Sequence, residues 1–135
     1  MVMVIIAEMN VLAVGLEDRI KEFKGLPVRL LDIAHGSDAI RSFKTASIDS
    51  VISHWNLTDM PDGEFLRRLR TVKPDMPTVA IIEANNPQQE IEARSLGVSA
   101  VITEDCSEDY FRKVMGEVLG LPNHAIETLY AVNGF

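Results

Sequence analysis

The chain has 135 residues, room for one domain with a proper core and too little for two. Its formal net charge of −7 argues against a nucleic-acid partner, which needs a basic face. Hydrophobic residues make up 47%, ordinary for a soluble protein, yet no apolar run is long enough to span a membrane.

Val2-Met3-Val4-Ile5-Ile6-Ala7 is continuous and apolar, the pattern of a strand covered on both faces, and it is read as strand one. Glu8-Met9-Asn10 is its turn. Leu12, Leu16, Ile20 and Phe23 then recur at helical spacing, and Gly25 and Pro27 stop that first helix. Val28 to Ala34 is a more polar strand, suited to a sheet edge. Ser37 can cap a second helix with Ala39, Ile40 and Phe43 inward.

Asp49 to Ser53 is strand three, buried on both faces, and His54 follows it. A loop then leads to a third helix over about 61–72, with Phe65, Leu69 and Val72 inward. Thr78 to Ile82 is strand four. Asn86-Pro87 opens helix four with Asn as cap and Gln89 placed to bond back, and Ile91 and Leu96 face the core. Ser99 to Thr103 is strand five. Ser107 caps helix five, on which Phe111, Val114, Met115 and Val118 share a face. Strict βα alternation predicts an α/β domain over residues 1–120, a parallel sheet between two helical layers (three-layer αβα). Residues 121–135 are left as a tail, a short helix or a linker stub.

Met1 to Ala7 is too short for a signal-peptide core and has no basic leader. Cys106 is the sole cysteine, so no internal disulfide forms, and acidic neighbours leave its thiol inert. These features predict a cytoplasmic protein. Arg67-Arg68-Leu69-Arg70 is read as a solvated helix face, and Trp55 as a buried side chain.

Three segments carry a family resemblance: Ser53-His54-Trp55-Asn56-Leu57 with Asp62-Gly63, the helix Phe65 to Arg70, and Ala93-Arg94-Ser95-Leu96-Gly97-Val98-Ser99-Ala100. The chain resembles the receiver domain of two-component response regulators over about residues 2–120. The resemblance implies a flavodoxin-like, CheY-like (βα)5 fold with strand order 2-1-3-4-5. It also implies a chemistry: phosphoryl transfer to an aspartate ending strand three. An acidic pair after strand one helps that aspartate hold Mg²⁺. A hydroxyl ending strand four and a lysine ending strand five bind the phosphoryl oxygens.

In this chain the implied acceptor position is His54. The acidic-pair positions fall on Ala7 and Glu8, the hydroxyl on Glu83, the lysine on Glu104, and the switch aromatic of strand five on Val101. The loop between His54 and Gly63 is one residue longer than the family's. A phosphoryl group carries roughly −1.5 to −2 charge near neutral pH and would meet Glu83 and Glu104. These replacements predict a degenerate pseudo-receiver that does not accept phosphate. It is expected to be non-enzymatic and to need no cofactor. Its expected role is phosphorelay signalling through a protein partner or homodimer, on the face of helix four, strand five and helix five.

Three readings of His54 stay open. It is a structural, hydrogen-bonded strand-end histidine, or a ligand for a divalent ion together with Glu8, Glu83 and Glu104. In the third it is a protonatable sensor whose pKa those carboxylates raise. A flavodoxin-type enzyme would need a phosphate-binding loop after strand one, and Ala7-Glu8-Met9-Asn10 supplies none. No nucleophile elbow is present for hydrolysis.

Overall fold

Five apolar stretches become five parallel strands in the computed structural model, which describes residues 9–120. They are β1 (Met9–Val14), β2 (Val28–Ile33), β3 (Ser50–His54), β4 (Thr78–Ile82) and β5 (Ala100–Thr103). Four α-helices follow, three in crossovers and the last after β5: α1 (Gly36–Ser42), α2 (Glu64–Val72), α3 (Pro87–Ser95) and α4 (Glu108–Val118). A 3-10 helix, Glu17–Phe23, makes the crossover from β1 to β2. The order is β2-β1-β3-β4-β5, every pairing parallel, as the resemblance implied.

Burial follows that order. β4 is buried at all five positions and β3 at its first four, whereas β2 is nowhere fully buried and forms an edge. Successive side chains of a strand point to opposite faces. Val11 and Ala13 therefore join Ile52, Val79, Ile81 and Ile102 beneath the 3-10 helix and α4. Leu12 and Val14 join Val51, Ala80 and Ile82 beneath α1, α2 and α3. On the first side Phe23 and Phe111 meet edge to face at 5.4 Å. Buried Arg112 donates from Nη1 to the carbonyls of Glu22 (2.9 Å) and Lys24 (2.8 Å), which ties α4 to the 3-10 helix. No helix among the described residues is long and apolar enough to cross a membrane.

The first crossover corrects the sequence reading. The expected strand Val2–Ala7 lies outside the described residues, and β1 is Met9–Val14, where a turn and a helix start were expected. Leu12 and Leu16 do fall at helical spacing, but Val11 to Val14 are all buried, as in a strand covered on both faces. Gly15, at φ +69°, ends the strand, so only the later part of the predicted helix remains.

Smaller corrections concern side chains. Ile91 was expected inward but is 62% exposed. The inward residues of α3 are Gln89 and Ala93, and Ile91 is two positions, about 200°, from each. Buried Gln89 is satisfied because its side-chain oxygen accepts from the Glu83 N–H at 2.9 Å. Val72, at the last residue of α2, is also exposed. Asn86 and Ser107 cap α3 and α4 as predicted, accepting from the amides of Gln89 and Tyr110. Ser37 makes no side-chain cap on α1.

Candidate functional site

His54 ends β3 and lies between the ends of β1 and β4, opposite Ile81 of β4. Its Nδ1 accepts from the Asn56 N–H at 3.1 Å, so that nitrogen carries no proton. The proton sits on Nε2, which donates to Glu104 Oε2 at 3.1 Å from the end of β5. The imidazole thus bridges β3 and β5, held by two partners.

Asn56 continues the chain of bonds. Its side-chain Nδ2 donates to Glu83 Oε1 at 3.0 Å, and its side-chain oxygen accepts from the Asp62 N–H at 2.7 Å. Glu83 Oε2 accepts from Asn86 Nδ2 at 3.4 Å. Glu104, His54, Asn56, Glu83 and Asn86 therefore form one hydrogen-bonded row across the ends of β3, β4 and β5. The positions implied for acceptor, hydroxyl and lysine are thus held together, with Asn56 as the link that sequence reading missed. Of the two expected carboxylates among the described residues, Glu104 reaches the His54 ring and Glu83 bonds to Asn56 instead.

The expected acidic pair is displaced by the correction to β1. Ala7 and Glu8 lie outside the described residues, and β1 ends at Val14, so the next positions are Gly15 and Leu16. Glu17 and Asp18 follow at the start of the 3-10 helix. Gly15 is beside His54, and a Cβ built on it would lie 3.8 Å from His54 Cβ. The same Cβ would lie only 2.6 Å from Leu57 Cδ2, so the loop after β3 already fills that space.

These residues open on a cleft of about 420 Å³ lined by Glu17, Asp18, Arg19, His54 and Glu104 among others. Arg19 is committed elsewhere: Nη1 pairs with Glu22 at 2.7 Å, Nη2 donates to the Cys106 carbonyl, and the guanidinium lies 5.1 Å from the centre of the Phe111 ring. Among the described residues no three His, Cys, Asp or Glu side chains come together in a way that could hold a metal ion. Burial pushes the Cys106 thiol up, against the opposing charge of Arg19, in line with an unreactive cysteine.

The loop from Trp55 to Gly63 is anchored along its length. Trp55 is fully buried, with Gly63 against its ring and the Arg67 guanidinium 5.7 Å from the ring centre. A Cβ on Gly63 would lie 2.3 Å from Trp55 Cζ2, which is why glycine stands there, at φ +76°. Leu57 and Met60 are buried on the α1 side. Asp59 accepts from the N–H groups of Gly36 (2.9 Å) and Ser37 (3.0 Å), supplying the cap that Ser37 itself does not. Sequence reading missed this role, although the extra loop residue was a signal of altered geometry. Val101 of β5 is half-buried against the same apolar cluster.

No protein-family model matches the chain, and no curated protein matches it. Solved structures do. A protein of Neptuniibacter caesariensis, described only as uncharacterized, aligns over 93% of this chain and 96% of its own, with 23% identity and a TM-score of 0.76. The signal receiver domain of an HD domain-containing protein from Pseudomonas fluorescens Pf-5 covers 89% and 98%, at 16% identity and a TM-score of 0.74. The chemotaxis response regulator CheY4 of Vibrio cholerae covers 83% and 99%, at 19% identity and a TM-score of 0.72. The chain has the fold of these receiver domains.

Proposed function

We propose that the chain is a non-enzymatic signalling module of receiver type that works by protein contact, without a phosphoryl switch. One observation carries this reading: the strand-end positions are bonded to one another. Glu104 accepts from His54, and Glu83 accepts from Asn56. A phosphoryl group on this edge would face two carboxylates already engaged, and the cleft's Arg19 is held by Glu22 and Cys106. The position after β1 is Gly15, backed by Leu57, where a magnesium ligand would be needed.

The surface available for contact is the face of α3, β5 and α4. Arg112 reaches the 3-10 helix on one flank of α4. Tyr110, two positions earlier and about 200° round the helix, lies on the other flank. Tyr110 and Ile91 are both exposed large side chains. Exposed apolar and aromatic groups of this kind anchor protein contacts. The occupant is a protein partner or a second copy of the chain.

The test is titration of the full chain with beryllofluoride and Mg²⁺, read by amide chemical shifts and thermal melting. No saturable change at His54, Asn56, Glu83 or Glu104 is expected. Saturable binding at those residues would overturn the reading.

A further inference from the structure

The β3–α2 loop is fastened to α1 in a way that neither the strand-end bonds nor the contact face requires. Asp59 is exposed, yet both carboxylate oxygens are engaged, Oδ1 by the Gly36 N–H and Oδ2 by the Ser37 N–H. Beside this polar contact is an apolar one. A Cβ built on Gly36 would lie 2.6 Å from Met60 Sδ and 3.2 Å from Leu57 Cδ1. The loop therefore lies against the backbone of α1 at its first residue, and only glycine permits that approach. Leu57 has its other methyl against Gly15, so one side chain fills space at the end of β1 and at the start of α1.

We propose that Asp59 is an intramolecular latch, holding the strand-end loop on the first turn of α1 so that loop and turn open together as one unit. It rests on this geometry alone and stands whether or not the edge binds phosphate. Local openings of this kind involve contiguous cooperative segments. The carboxylate is what makes the unit releasable. The Ser37 amide chiefly, with the Gly36 amide and the Ser37 hydroxyl adding, holds the Asp59 carboxyl below its ordinary value of 3.8, against an opposing effect of burial. Other titratable groups on the α1 side are His35, before the helix, and Asp38, which is paired with Arg41. On the loop side the group is Asp62. A lowered pKa means the latch is fully made above pH 3.8 and is lost as pH falls through the folded value.

Amide hydrogen exchange on the full chain, followed by NMR and corrected for intrinsic rates, tests this. Four amides report. Gly36 and Ser37 read the α1 side. On the loop side, Asp62 N–H is bonded to Asn56 Oδ1 and Gly63 N–H to the Trp55 carbonyl. Asp59→Ala is expected to speed all four by about five- to tenfold, the size of a lost helix cap, with strand amides unchanged. Asp59→Asn keeps one acceptor oxygen and is expected to give a smaller change at the same four. Acidifying the unmodified chain from pH 3.8 down through the folded Asp59 value is expected to speed the same four amides without any substitution, which covers a variant that does not fold. Acceleration confined to Gly36 and Ser37 would mark a simple helix cap and overturn the latch, as would no acceleration at all.

Discussion

At the carboxyl ends of β3, β4 and β5, polar side chains turn inward on one another. On α3 and α4, the large side chains of Ile91 and Tyr110 turn outward. The first region satisfies His54 with Glu104 and Asn56, and Asn56 in turn with Glu83. The second leaves Ile91 62% and Tyr110 49% exposed. Polar groups bonded to each other have little left to offer a ligand, whereas exposed apolar area gains free energy when it is covered. Under the proposed function, substitutions in the first region change stability and leave association alone, and substitutions in the second do the reverse.

The largest expected effect is from Trp55→Ala, which removes a fully buried ring from under Arg67 and Gly63. A loss of about 3–5 kcal/mol is expected, read from urea unfolding. A loss under ~1 kcal/mol would mean that the loop is not part of the core. Gly15→Asp comes next. It restores an acid beside His54, but its Cβ meets Leu57 at 2.6 Å. Overpacking there is expected to cost about 1–3 kcal/mol without conferring Mg²⁺ binding. Gained Mg²⁺ affinity with unchanged stability would erase the contrast between the two regions.

The smallest effect on stability belongs to the double variant Ile91→Ser with Tyr110→Ser. Unfolding is expected to stay within about 0.5 kcal/mol of the parent, because neither side chain is in the core. Association, with itself in a sedimentation dilution series or with a partner, is expected to weaken by about tenfold or more. Unchanged association would move the contact surface off this face.

The sheet's interior was legible because it has a simple physical signature. Runs such as Thr78 to Ile82, buried at every position, can only be a strand covered on both faces. The caps Asn86 and Ser107 were legible because capping is a local bond between residues three apart. What failed was non-local or ambiguous. Two apolar runs precede Gly15, and periodicity does not say which one pairs with β2 and β3. Gln89 is inward and Ile91 outward because of a bond to the Glu83 backbone six residues away, which hydrophobicity does not register. The strand-end histidine was visible, but its partner Asn56 looked like a turn residue. Asp59 caps a helix over 20 residues earlier in the chain, and no local pattern reports such a reach.

Leu57 also constrains how the chain's chemistry could be rebuilt. Replacing His54 by aspartate would supply an acceptor, but a companion acid at position 15 would meet Leu57 in the adjoining space. Moving Leu57 means moving the loop, which Asp59 and Met60 hold against α1. An acid at position 15 therefore calls for a change at Leu57 or in its loop, whereas the exchange at His54 does not depend on it. Read as a route through sequence space, an acid beside position 54 is coupled to the α1 contact, because the side chain in its way belongs to the loop that Asp59 fastens.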